Sequence, residues 1–218
     1  EESEDVIFSK IERGTRYEIN RCRSKDNITI KTLDSASNKE SFYQIYDEFA
    51  VSKSLPRIRK NEVDLLIKNN MYIIRSCVYD NKKIVYHTYI TSGRRVRLAA
   101  SISFLKASDD NKFRNLIGRA NRLLHWDDIL YFKNNGYTIY DFGGIGIDAT
   151  NREVSGINKF KEGFGGIPVK EYKSFIPVSF KGHFYLNFKY FVHNTLLQIK
   201  LRFPGLYKLA KKLLRPET

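Results

Sequence analysis

Cysteine is nearly absent from this chain. Its two residues, Cys22 and Cys77, stand far apart, with no CxxC pair and no Cys/His cluster. A structural zinc site is therefore excluded as a reading, and the two thiols suit a reducing compartment, with a single disulfide left open. Histidine is scarce too: the four are scattered, and neither an HExxH nor a GxSxG motif occurs. No apolar run approaches the roughly 20 residues that span a bilayer. The opening "EESED" is acidic and predicts no signal peptide. Internal repeats and low-complexity linkers are missing. Acidic residues are in short supply: 24 Asp and Glu against 38 Lys and Arg leave a formal charge of +14. Such a charge attracts polyanions, whether nucleic acid, a phosphate-bearing coenzyme, a pyrophosphate-linked sugar or an anionic membrane.

What is present suits a packed domain. The 218 residues are 42% apolar and 14% aromatic, enough for one good-sized core. "DVIFSK" (Asp5–Lys10) reads as a short strand, and "GTRYEINRCRSKD" as a basic helix. "NKESFYQIYDEFAVSK" and "RKNEVDLLIKNN" read as two more helices; Phe42, Ile45, Tyr46 and Phe49 recur at the 3.6 period. From Met71 the rhythm alternates, with "YDNKK" and "TSGRR" as turns, which predicts a three-stranded antiparallel meander. A long helix follows over "NKFRNLIGRANRLLHWDDILYFKNNG". It presents Leu116, Ala120, Leu123, Leu124, Ile129 and Phe132 to a core and stops at Gly136. "YTIYDF" reads as a strand, "INKFKEGF" as a short helix, "PVKEYKSFIPV" as a further strand. The tail from Phe184 reads as helical and basic. The order predicts an α+β (mixed α/β) fold, a central, mostly antiparallel sheet flanked by helices. The expected organisation is one domain over 1–183 and a helical extension over 184–218.

One stretch is unusually dense in glycine: Tyr140 to Gly166, "YDFGGIGIDATNREVSGINKFKEGFGG". Together with "NLIGRANRLLHWDDILYFKNNGYTIYDFGG" (Asn115–Gly144), its second block, "GINKFKEGFGG" (Gly156–Gly166), resembles the C-terminal part of Fem-type proteins of the GNAT acyltransferase superfamily. These build peptidoglycan cross-bridges and have smaller relatives in surface-polysaccharide loci. The likeness covers the second half of the chain; the first half agrees in element order. The resemblance implies an acyltransferase acting on an amine or hydroxyl of an amino-sugar or cell-envelope precursor. Fem transferases usually carry two GNAT-like domains and often a helical arm. This chain has room for one, which favours acyl-coenzyme A over aminoacyl-tRNA as the acyl source. A binding module without chemistry, holding nucleic acid or an anionic membrane, is the reading from a different class.

The resemblance implies candidate residues, each with a structural alternative. The GNAT pyrophosphate loop, Gln/Arg-x-x-Gly-x-Gly/Ala, maps onto Asn115, Gly118 and Ala120. The first position departs from the pattern, and Arg114 and Arg119 add charge. The alternative is close packing on a solvated basic helix. Ser101 and Ser103 lie on the strand whose backbone pairs with the pantetheine arm in GNAT enzymes, or are small residues at a crowded place. Asp141, at a strand end, can accept the acceptor's proton, or can fix the loop through neighbouring N–H groups. His87 can be a base near neutral pH, or a satisfied structural group; His125 shares the ambiguity. Tyr140, Gly143, Gly144, Lys159 and Lys161 are candidate acceptor contacts, with one lysine meeting a phosphate and the other in solvent. The glycines leave room for a substrate or simply make tight turns. No metal is expected. In "GLYKLAKKLLR" the leucines of 205–218 fall at helical spacing among lysines. That segment suits contact with a membrane surface, or packing in the domain or a homodimer. The expected location is cytoplasmic, at the inner face of the membrane if that tail inserts.

Overall fold

Ser3 opens the first helix, α1 (Glu4–Ser9): its hydroxyl accepts the Val6 N–H, and Glu4 and Asp5 occupy the first turn, where acids complement the helix dipole. The strand expected at Asp5–Lys10 is therefore a helix. Its Val-Ile-Phe run imitates a strand, but Ile7 and Phe8 are neighbours of a core that includes Trp126. The computed structural model describes residues 2–103, 110–146, 152–172, 174 and 176–202. They fall in two compact units, Glu1–Pro168 and Val169–Thr218.

In the first unit, α2 (Arg13–Lys25) buries Ile19 and Cys22. A short strand, β1 (Thr29–Leu33), follows it; the sequence reading missed this element because five residues carry too little alternation. Asp34 caps α3 (Ser35–Ser52) through the Ala36 N–H, and α4 (Lys60–Lys68) packs beside it. The predicted meander is β2 (Tyr72–Tyr79), β3 (Lys82–Ser92) and β4 (Arg95–Ser103). Asp80 and Asn81, both at positive φ, make the two-residue turn of the first hairpin, and Gly93 helps make the second. α5 (Asn111–Asn134) starts where the sequence predicts, with the Asp110 carboxylate accepting the Lys112 N–H. Gly136, at φ +84°, stops it. β5 (Ile139–Asp141) then runs parallel to β4, and α6 (Arg152–Glu162) completes this unit's elements.

The sheet order is β1-β2-β3-β4-β5, antiparallel except for the last pair. One face packs on α2 and α5 through Cys77, Val85, Ile117 and Leu124; the other packs on α3 and α4 through Ile74, Tyr86 and Ile102. Successive residues of a strand point to opposite faces, so β3 is buried on both sides. In the second unit, α7 (Phe180–Arg202) starts slightly earlier than predicted. No strand forms over the described residues of "PVKEYKSFIPV"; Pro168 and Pro177 each lack the N–H that a ladder needs. The tail 205–218 lies outside the described residues.

Candidate functional site

β4 and β5 are paired for only three residues, Arg95↔Ile139 to Arg97↔Asp141. After Asp141 the chain turns away, so β4 from Leu98 to Ser103 has no β5 residue beside it. Asp141 makes that departure. Its carboxylate accepts from Arg95 at 2.6 Å and from the Gly143 N–H at 2.7 Å, and lies 3.5 Å from Arg97 Nε. Both oxygens are thus engaged in holding the loop and the Arg95–Arg97 strand. Gly143, at φ +77°, lets the turn pass 3.4 Å from the Leu98 carbonyl oxygen, measured from where its Cβ would stand. Gly144 faces open space. Lys161 reaches back from α6: its ammonium donates to the Gly144 carbonyl at 2.6 Å and to that of Gly143 at 3.4 Å. Burial lowers its pKa, opposed by Asp141 and helped by Arg97. Lys159 is exposed, so the two lysines do point apart.

Gly163 and Gly165 of the second block approach protein, whereas Gly156 faces open space. A Cβ on Gly165, which has φ +75°, would stand 2.7 Å from the Lys10 carbonyl oxygen. The Glu12 N–H donates to the Gly163 carbonyl. These glycines let the α1–α2 junction touch the end of α6, and they leave no space there for a substrate.

Behind β3 lies a buried polar network. Asp128 of α5 accepts from His87 Nδ1 at 2.7 Å and from the Tyr89 hydroxyl, and Arg75 Nε stands 2.6 Å from its other oxygen. Arg75 also pairs with Asp127 and stacks on the Tyr131 ring. His87 Nε2 faces the Asn121 amide at 2.9 Å, and the Ser101 hydroxyl donates to Asn121 Oδ1 at 3.3 Å. Tyr140 bridges Tyr89, at 2.6 Å, and His125 Nδ1, at 2.8 Å. Burial and the Asp128 charge push both phenols far above their usual pKa, so they remain donors. Burial, the neighbouring His87, and the Lys161 and Arg122 cations hold His125 well below the usual histidine value. His87 and His125 stack with centroids 4.1 Å apart. His87, expected as a base, is fully buried with both ring nitrogens engaged. Tyr140, expected against the acceptor, spends its hydroxyl inside the network. The donor atoms of His87, His125 and Asp128 lie within 4.8 Å of one another. Both oxygens of Asp128 already face protein groups: Oδ2 accepts from Tyr89 and His87, and Oδ1 is ion-paired with the Arg75 guanidinium.

Sequence reasoning missed Arg75, Tyr89, Asn121 and Asp128. A signal was available on α5, where Asn121, His125 and Asp128 share the stripe of Ile117, Leu124 and Phe132. Polar residues on an apolar stripe are seldom there without partners.

Four of the predicted phosphate-binding residues do converge. Arg114, Asn115, Gly118 and Arg119 line a cleft of about 730 Å³ between α2 and α5, with Glu18, Arg21 and Arg122. Arg119 is held by Asp26 at 2.5 and 3.0 Å, and Arg122 by the Gly118 carbonyl and the Phe160 ring. Two details differ from expectation. Gly118 and Ala120 lie inside α5, where the helix uses their N–H groups, so the side chains carry the charge and no backbone cradle forms. Ala120 is buried, with its carbonyl against Cys77. Ser101 faces α5, and by alternation so does Ser103, which leaves the open edge of β4 to its backbone.

This arrangement has the fold of FemX, and part of the chain matches a family model. Residues 90–181 match the model of the FemAB family. The crystal structure of FemX superposes with a TM-score of 0.60 at 13% identity, over 75% of this chain and 56% of that one. The chain thus spans little more than half of FemX. An aminoglycoside acetyltransferase, meta-AAC0020 from an uncultured soil metagenomic sample, aligns at a TM-score of 0.48 and 10% identity, over 70% of this chain and 96% of that one. The aminoglycoside 6'-N-acetyltransferase AAC(6')-Ih from Acinetobacter baumannii aligns at 0.45 and 13%, over 69% and 97%. Comparison with curated protein sequences gives no match.

Proposed function

We propose that the protein is an acyltransferase that moves an acyl group from an acyl-coenzyme A to an amine or hydroxyl of an amino-sugar or cell-envelope precursor. The observation that carries this is the parting of β4 from β5 at Asp141. It leaves a strand edge able to hydrogen-bond an extended, amide-bearing arm such as pantetheine. The arginine cleft on α2 and α5 supplies the positive field for the phosphates. Gly144 leaves space for the acceptor on the far side of the parting, where Lys161 presents a cation to a phosphate of a nucleotide-linked or lipid-linked sugar. Acyl transfer also needs a proton acceptor and a partner for the oxyanion. Asp141 and His87 are both engaged elsewhere, and the proposal assigns the base to neither.

A second reading takes aminoacyl-tRNA as the acyl source. The FemAB match over 90–181 and the four arginines of the cleft favour it. Titration calorimetry with acetyl-coenzyme A, desulfo-coenzyme A, aminoacyl-tRNA and single-stranded DNA separates these readings. Binding of both coenzymes, with turnover of the first only, supports the proposal. Binding of tRNA with transfer of its amino acid supports the second reading. Binding of any polyanion without turnover leaves a basic module. Gly118→Asp sets a carboxylate beside Arg122, whose Nη1 stands 3.7 Å from the Cβ position. It should weaken coenzyme binding more than about tenfold, equal to about 1.4 kcal/mol. Unchanged affinity in the folded variant removes the phosphates from this cleft.

A further inference from the structure

In the second unit, α7 repeats phenylalanine at i, i+4, i+8 and i+11: Phe180, Phe184, Phe188 and Phe191. At helical spacing these form one narrow stripe. They are 89%, 69%, 57% and 68% exposed. Tyr185 and Val192 widen the aromatic sector on one side with Lys181 among them, and Gly182, Leu186, Lys189 and His193 lie opposite, so the helix presents aromatic surface without a separate polar face. The charge around it is one-sided. Between Glu171 and Glu217 there are nine Lys or Arg and no Asp or Glu, so this short segment carries most of the chain's net charge of +14.

We propose that α7 lies in the surface of a bilayer rich in anionic lipid, with its phenylalanine stripe at the acyl-chain boundary and its lysines among the headgroup phosphates. Exposed aromatic side chains favour that boundary, and cations are drawn to the negative surface potential. The helix lies on the membrane and does not cross it: no described helix is long and apolar enough to span. Charge also decides against a second copy of this chain as the occupant. Two copies would bring the same acid-free segment against itself, and like charges facing each other cost affinity, whereas an anionic surface is complementary. This inference stands apart from the acyltransferase reading.

Co-sedimentation of the full chain with extruded vesicles tests it. Binding is expected to phosphatidylcholine vesicles containing about 30% phosphatidylglycerol and not to pure phosphatidylcholine. It should fall more than about tenfold as salt rises from about 50 to 500 mM. Phe184→Glu with Phe188→Glu should lower it at least about tenfold at low salt. Circular dichroism of the same preparation must match the unmodified chain. As a gentler variant, Phe188→Ser should give an intermediate loss. Failure to sediment with anionic vesicles at low salt overturns the proposal. So does binding that survives both phenylalanine variants and vanishes on deletion of residues 205–218, which assigns the contact to the tail. A dimer in sedimentation velocity that these variants dissociate, without vesicle binding, overturns it in favour of a second copy.

Discussion

Replacing Asp128 by asparagine keeps the side chain's shape and removes its charge. Asp128 is fully buried and the Arg75 side chain is 4% exposed, so the guanidinium loses a partner that water cannot replace. Breaking a buried ion pair from one side costs about 3–5 kcal/mol. Arg75 keeps Asp127, whose side chain is 44% exposed, which places the expectation at the lower end, about 3 kcal/mol. The amide also cannot accept equally well from His87 and Tyr89 at one oxygen. For a chain of this length, each kcal/mol moves Tm by about 2–4 °C, so a drop of about 6–12 °C is expected. Trp126 reports it directly: it is the chain's one tryptophan, buried on α5 two residues from the substitution. Thermal melts followed by its fluorescence should show Asp127→Asn losing less than about 1 kcal/mol, as a half-exposed pair does. Arg75→Met should rescue part of the Asp128→Asn loss, with a coupling of about 0.5–3 kcal/mol. A Tm shift under about 2 °C for Asp128→Asn, or strict additivity with Arg75→Met, would refute the view that this ion pair is closed to water.

His125 supplies a pH test. Burial holds its folded pKa below the unfolded value of about 6.5, so its contribution to stability is complete above that pH and is lost as the pH falls through it. Below about pH 6.5 the urea-derived stability should fall as the pH falls, by up to about 1.4 kcal/mol per pH unit, and His125→Gln should flatten that slope; an unchanged slope speaks against a neutral buried imidazole. Gly165→Ala, at positive φ and against the Lys10 carbonyl, should cost about 1–3 kcal/mol or more in chemical denaturation. Gly144→Ala should stay within about 0.5 kcal/mol; equal effects would show that the second glycine turn is not held against α1. Asp141→Asn should lower stability by about 1 kcal/mol while turnover per folded molecule stays unchanged; a rate loss of about 10²–10⁴ would restore it as the base.

The elements that the sequence shows best are those with a long period. α5 has 24 residues, with caps at both ends and an apolar stripe, and its start and stop are legible. The meander is legible because Asp80–Asn81 and Gly93 are turn residues between alternating runs. The errors fall where local pattern is short or misleading. Val6, Ile7 and Phe8 look like a strand until Ser3 is seen as a cap. β1 is too brief to show a period. Pro168 and Pro177 break an otherwise strand-like run. The site divides in the same manner. Arg114, Asn115, Gly118 and Arg119 are legible through the resemblance to the GNAT pyrophosphate loop, whereas Arg21 on α2 and Arg122 join the cleft only through the packing of the two helices. The Asp128 network joins α5 to four strands, and only the topology brings Arg75, His87, Ser101 and Tyr140 to it.

That network also settles a question of alignment that apolar burial leaves open. Residues 84–89 of β3 are all buried, on both faces, so sliding the strand by one position would exchange one set of greasy neighbours for another at little cost. The same slide would carry His87 and Tyr89 to the α3–α4 side and put Tyr86 and Thr88 before Asp128 and Arg75 in place of the imidazole and the phenol that now bond the carboxylate. The polar residues therefore act as a key cut for one register. They discriminate against near-native sheets that the surrounding isoleucines, valines and tyrosines would tolerate.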